Sequence, residues 1–149
     1  MPIRSFRGMI ADGGQDTIHL HTRDGSIGYR IVKFEMYPQK PGQESVENNI
    51  AIWKVEQTSL STTAFIVNFS DQMLLGVGHY HDSSSENTSS PFVTIFDNEI
   101  FNQDIYLTHT DTNSSLPCNY YLELEQIKLD LNENTVATLK DIRNETLTV

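Results

Sequence analysis

The last third of the chain constrains the fold most. From Phe92 onward, apolar and polar residues alternate through three runs, FVTIF, DIYLTHT and CNYYLELEQIKLDL. The polar turn DNEIFNQ and the loop DTNSSLP separate them. A period of two sends successive side chains to opposite faces of a strand, so each run reads as a strand with one face to bury. Nothing in this layout is built around reactive chemistry.

The same pattern reaches back to the start of the chain. In IRSFRGMI, Arg4, Phe6 and Gly8 share one face and Ile3, Ser5 and Arg7 the other. Asp12-Gly13-Gly14 turns the chain. TIHLHT sets Ile18 and Leu20 inward and His19 and His21 outward, and Asp24-Gly25 signals a hairpin. GYRIVKFEMY follows, with Tyr29, Ile31 and Lys33 opposite Arg30, Val32, Phe34 and Met36. PQKPGQESVENN reads as a loop, because Pro38 and Pro41 cannot serve a central ladder. IAIWKVEQ and AFIVNF read as strands, MLLGVGHYH as a strand whose start is ambiguous, and DSSSENTSS as an exposed loop tip.

NENTVATLKDIRN closes the pattern as a helix. Asp130 or Asn132 caps it, Asn144 ends it, and Val136, Leu139, Ile142 and Arg143 share one side. The expected fold is therefore all-β. It is a single antiparallel, jelly-roll-like β-sandwich domain over residues 1–149, with about eight or nine strands and one short C-terminal helix. Phe34, Trp53, Phe65, Phe69, Phe92 and Phe96 are expected to fill the space between the sheets.

The formal net charge is -10. An acidic surface repels phosphate, so neither nucleic acid nor an anionic membrane is an expected partner. A lone cysteine, Cys118, excludes an intrachain disulfide and fits assembly in a reducing cytoplasm. No apolar stretch follows Met1-Pro2-Ile3, so no secretory leader is expected, and the sequons at Asn68, Asn87, Asn113 and Asn144 carry no meaning for glycosylation.

Candidate chemistry is sparse. The chain has no nucleophile elbow, phosphate-binding loop or zinc-type cysteine spacing. Cys118 reads as a small buried residue, and Glu123 and Glu125 as a solvated strand face. Trp53, or Tyr120 with Tyr121, is a candidate sugar platform, although alternation favours core positions for aromatics.

His79 and His81 with Glu86 spell H-x-H-x4-E, and His109 with Asn113 spells H-x3-N. This resembles the metal-binding motifs of the cupins, which would make His79, His81, Glu86 and His109 ligands. The pattern departs from theirs: Met73 stands where cupins carry a glycine, and NQDIYLT replaces their second Pro-x-Gly turn. The alternative is exposed strand histidines, with no metal and no cofactor.

Several stretches together resemble a family of small β-rich virion proteins of marine tailed bacteriophages. They are IRSFRGMIADGGQDTI, GYRIVKFEMYP, IFDNEIFNQDIYLTHTD and CNYYLELEQIKLD with ATLKDIRN. The resemblance implies a non-enzymatic virion protein, assembled in the host cytoplasm. Its first placement is capsid decoration or cement on the major capsid protein, and a tail, neck or baseplate component is the alternative. Other virion proteins and further copies of the chain are its expected partners. The contacts expected from the sequence lie at the ends: Arg4 and Arg7 in the N-terminal strand, and Thr146, Leu147 and Val149 in the β-prone tail.

Overall fold

The structure, a computed structural model, describes residues 2–41, 45–58, 66–82 and 92–130. The alternating segments form eight strands: β1 Ile3–Ile10, β2 Gln15–Ile18, β3 Ile27–Pro38, β4 Val46–Trp53, β5 Leu74–Asp82, β6 Phe92–Phe96, β7 Ile105–Asp111 and β8 Cys118–Lys128. They build two antiparallel sheets, ordered β1-β8-β3 and β2-β7-β4-β5-β6, packed as a sandwich. No helix occurs among the described residues, and the helix expected over Asn132–Asn144 lies outside them.

The pairing nests like a rolled-up hairpin. β4 pairs with β5, β2 with β7 and β1 with β8, and rolling sets β8 beside β3 and β7 beside β4. An eight-stranded jelly roll completes this nesting with a pair between β3 and β6. Here β6 stays on β5 instead. A single bridge survives where that pair would run: Tyr29 N donates to Phe101 O at 2.8 Å, and Phe101 N to Tyr29 O at 3.0 Å. Among the described residues the sandwich is consequently open between β3 and β6.

The core follows from the facing sides. β8 contributes Cys118, Tyr120, Leu122 and Leu124, opposite Ile50 and Ile52 of β4 and Ile105 and Leu107 of β7. Phe34 and Met36 of β3 lie over β5 at Gly78, where an added Cβ would meet Met36 Sδ and come within 2.9 Å of Phe34. Phe101, buried against this cluster, closes the end of the sandwich beside Tyr29.

Several expected boundaries move, each for a local reason. The register of β3 on β8 shifts between Ile31 and Lys33. Val32 is therefore the extra residue of a bulge, and Tyr29 and Ile31 share the buried side with Phe34 and Met36, not the opposite one. Asp24-Gly25 makes a turn with Gly25 at φ 67°, yet β2 and β3 belong to different sheets, so it is a crossover and not a hairpin. β2 stops at Ile18, short of His19 and His21. VENN belongs to β4 and not to a loop, and β4 ends at Trp53. Residues 66–69 of the AFIVNF run are not a strand, and Phe69 is 68% exposed instead of buried. Trp53 is half-buried on the outer face of its sheet, where Nε1 donates to Thr108 Oγ1 at 2.9 Å. Phe96 packs half-buried against the core, and Phe65 lies outside the described residues.

Candidate assembly surfaces

Among the described residues, four strands form the rims of the two sheets: β1 and β3 in one, β2 and β6 in the other. An unpaired rim presents a row of backbone donors and acceptors, a template for another chain. β1 carries Arg4 and Arg7. Register sets Arg4 opposite Leu124, on the inward side. Its Nη1 donates to Tyr29 Oη at 3.2 Å and its guanidinium lies 5.3 Å from the Phe6 ring. Arg4 thus spans from Phe6 to Tyr29 at the exposed edge of the core. Arg7 projects from the outer face, opposite Tyr121.

That outer face is a charged ladder. Arg30 pairs with Glu125, Lys33 lies 3.7 Å from Glu35 and 5.7 Å from the Tyr121 ring, and Tyr121 Oη donates to Glu123 at 2.8 Å. Arg7, Glu35, Tyr37 and Tyr121 line a shallow depression of about 650 Å³ on it.

β6 is the opposite case. Its sequence, FVTIF, has no charge. Val93 and Ile95 leave the outer face and are 50% and 51% exposed. Beside them, Phe69, Leu74, Ile95, Phe96 and Asp97 line a second depression of about 400 Å³. Exposed apolar side chains on an uncharged rim strand are costly in an isolated molecule and useful in an assembly.

The ends of the sandwich are pinned by two carboxylates, Asp111 buried and Asp104 partly buried. Asp111, 2% exposed, accepts from the amides of Glu47, Asn113 and Ser114 at Oδ1 and of Leu116 at Oδ2, all at 3.0–3.2 Å. Burial opposes its charge, but these donors outweigh burial and hold the carboxyl below its ordinary range. Asp12 in turn accepts from Asp111 N at 2.9 Å. Asp104 does the same for the segment after β2. It accepts from Leu20 N at 2.8 Å, His21 N at 3.0 Å and His21 Nδ1 at 2.7 Å. Burial again raises its pKa, and these bonds to His21 and Leu20 bring it down to about 2.

His109, buried with 1% exposure, completes the network. Nδ1 lies 3.2 Å from Ala11 O, and Nε2 contacts the Asn48 amide at 2.9 Å. Burial pushes the ring below its ordinary 6.5, outweighing the Ala11 carbonyl and the charges of Asp12 and Asp111. A neutral ring donates one bond and accepts one. With Nδ1–H on Ala11 O, Nε2 needs a donor. Turning the Asn48 amide to present Nδ2 supplies it and satisfies the otherwise partnerless Asn48 Nδ2.

The cupin-like histidines do not converge. Residues in register share a face, and the rows are Thr110, Asn49 and His79 on one face and His109, Ile50 and Gly78 on the other. His79 and His81 therefore leave the outer face while His109 points into the core. His79 Nδ1 lies 2.7 Å from Asn49 Oδ1, and His81 Nδ1 lies 3.4 Å from Glu47. Glu86 is outside the described residues. Among the described residues no group of three His, Cys, Asp or Glu is placed to hold a metal ion.

Cys118 is fully buried and its thiol is pushed up to about 12 by burial, so it is not a nucleophile at neutral pH. Tyr120 and Tyr121 point to opposite faces, which removes them as a paired platform. Tyr120 crosses to β2 and donates to Asp16 Oδ2 at 3.1 Å. Thr146, Leu147 and Val149 lie outside the described residues. The sequence reading missed the surface at Val93, Ile95 and Phe69. Its visible signal was the absence of any charge in FVTIF, a rim strand without a guard.

The chain matches no family model, and no curated protein matches it in sequence.

Proposed function

We propose that this chain is a structural protein of a tailed-bacteriophage virion, a decoration or cement subunit bound to the major capsid protein, and not an enzyme. The observation that carries the proposal is the uncharged β6 rim, with Val93 and Ile95 half-exposed beside Phe69. Such a rim gains from strand addition and from apolar contact with a neighbour. The sequence resemblance supports a phage particle as the setting. A net charge of -10 supports binding to basic protein surfaces over nucleic acid. Many copies on a repeating lattice need only weak individual contacts, because avidity multiplies them. A tail, neck or baseplate position is the same proposal with a different neighbour.

The test is to locate the protein in purified particles by mass spectrometry and cryo-electron microscopy. The proposal expects it in fixed ratio to the major capsid protein, on the outer lattice. It also expects particles assembled without it to release their genome at lower temperature. Absence from washed particles would sink it.

A further inference from the structure

β6 is where the rolled hairpin departs from closure, and its sequence has a symmetry that the departure exposes. Phe92-Val93-Thr94-Ile95-Phe96 reads nearly alike in both directions about Thr94. Register fixes which backbone groups face outward. Asp97 N donates to Leu75 O at 2.7 Å, and Ile95 and Val93 pair with Val77 and His79. Hydrogen-bonded pairs alternate along an antiparallel ladder. The amides and carbonyls of Val93 and Ile95 therefore face β5, and those of Phe92, Thr94 and Phe96 face away from it. No strand covers that side among the described residues.

We propose that β6 pairs antiparallel with β6 of a second copy of this chain, across a twofold axis at Thr94. This inference deepens the assembly reading and rests on it for its setting. In this register Thr94 faces the partner's Thr94, and Phe92 faces the partner's Phe96. These are the residues whose backbone groups point outward, so the pairing completes about six N–H···O bonds. Val93 lies opposite the partner's Ile95, and Ile95 opposite the partner's Val93. Both are non-hydrogen-bonded positions, where Cα atoms approach to ~4.5 Å and side chains meet most closely. The apolar strip on each outer face becomes one strip, and the two five-stranded sheets run on as one. No like charges meet along the seam, since Asp97 falls just past its end. The contact is isologous and closes at two copies.

Sedimentation velocity of the full chain over a dilution series tests this. The wild type is expected to sediment as a dimer that dissociates on dilution. Val93→Lys with Ile95→Lys sets lysine against lysine at every such position and is expected to weaken dimerisation by roughly tenfold or more. Val93→Lys with Ile95→Glu sets lysine against glutamate and is expected to restore it. Both side chains already face solvent, so at dilutions where all are monomeric the thermal midpoints of the variants should match the wild type. If the lysines disturb folding, Thr94→Pro asks the same question by removing an outward amide, and it too must abolish the dimer. A wild type that is monomeric throughout overturns the proposal, whether β6 stays bare or is covered by the chain's own tail. A double-lysine variant that dimerises like wild type also overturns it, as does a lysine–glutamate variant that fails to recover. A dimer that never enters particles would leave the pairing standing and sink the virion reading, and a monomer found on particles would do the reverse.

Discussion

β1 and β6 are both rim strands, and they meet exposure in opposite ways. β1 places Arg4 on its inward side, bonded to Tyr29 Oη, and Arg7 on its outward side. A strand adding to β1 would have to desolvate guanidinium groups at both faces. β6 has no charge at all and leaves Val93 and Ile95 half-exposed. The difference turns on one topological choice. β1 sits where the nested hairpin expects it, on β8, whereas β6 has given up β3 and, among the described residues, pairs with β5 alone. The rim left by the unmade pair is the uncharged one. The contact surface expected from sequence at Arg4 and Arg7 is thus the better-guarded of the two.

The largest effect on this contrast should come from Phe101, which with Tyr29 supplies the bridge that stands in for the missing pair. Phe101→Ala removes a fully buried ring and should cost about 3–5 kcal/mol, read as a lower urea midpoint with an unchanged slope. A cost of surface size would mean that the bridge does not hold the open side.

Acid should separate the pinned ends from the β6 rim. His109 is held neutral, with its folded pKa below 6.5, so the unfolded chain binds the extra proton first. Stability from this site is complete above 6.5 and is lost as pH falls below it. Asp104, at about 2 when folded against 3.8, adds stability that is complete above 3.8 and is lost as pH falls towards 2. Thermal midpoints should therefore be flat above pH 6.5 and fall in two stages below it. His109→Gln should remove the upper stage and keep the lower one. A midpoint that rises on acidification from 6.5 to 5 contradicts the neutral ring.

Much of this was legible in the sequence. Alternation located the strands because one face of each is buried: FVTIF and DIYLTHT lie within a residue of where the pattern puts them, and CNYYLELEQIKLDL starts its strand at Cys118 but stops at Lys128, short of the run's end. What failed was anything that depends on a partner. VENN read as loop with the prolines before it, yet Pro38 ends the rim strand β3 and Asn48 is a buried β4 residue bonded to His109. Strict alternation misplaced one half of β3 because the bulge at Val32 resets its parity. Phe69 looked like core because hydrophobicity does not say against what a ring will pack. Asp24-Gly25 encoded a turn correctly, but a turn does not choose its sheet. The polar stretch DNEIFNQ hid Phe101, whose burial comes from β3, remote in sequence.

Removing the guard from β1 is a smaller perturbation. Arg7→Val should change unfolding free energy by less than ~0.5 kcal/mol, since the side chain is exposed. It should, however, give each chain a second adhesive rim. Two isologous contacts per chain build open strings, so light scattering should detect species beyond the dimer. If β1 stays inert without Arg7, charge is not what protects it. The smallest effect should come from the ladder. Glu125→Gln breaks the partly exposed pair with Arg30 and should cost at most about 1 kcal/mol, less in high salt.

Residue-resolved hydrogen exchange along β6 tests the central claim most directly. The register has the Ile95 amide bonded to β5 and the Thr94 and Phe96 amides pointing outward. In dilute solution Ile95 should be slow and Thr94 and Phe96 fast. As concentration rises, Thr94 and Phe96 should become protected together, to a degree that tracks the dimer fraction. Protection of Thr94 and Phe96 that is the same at every concentration, high or low, would contradict the account.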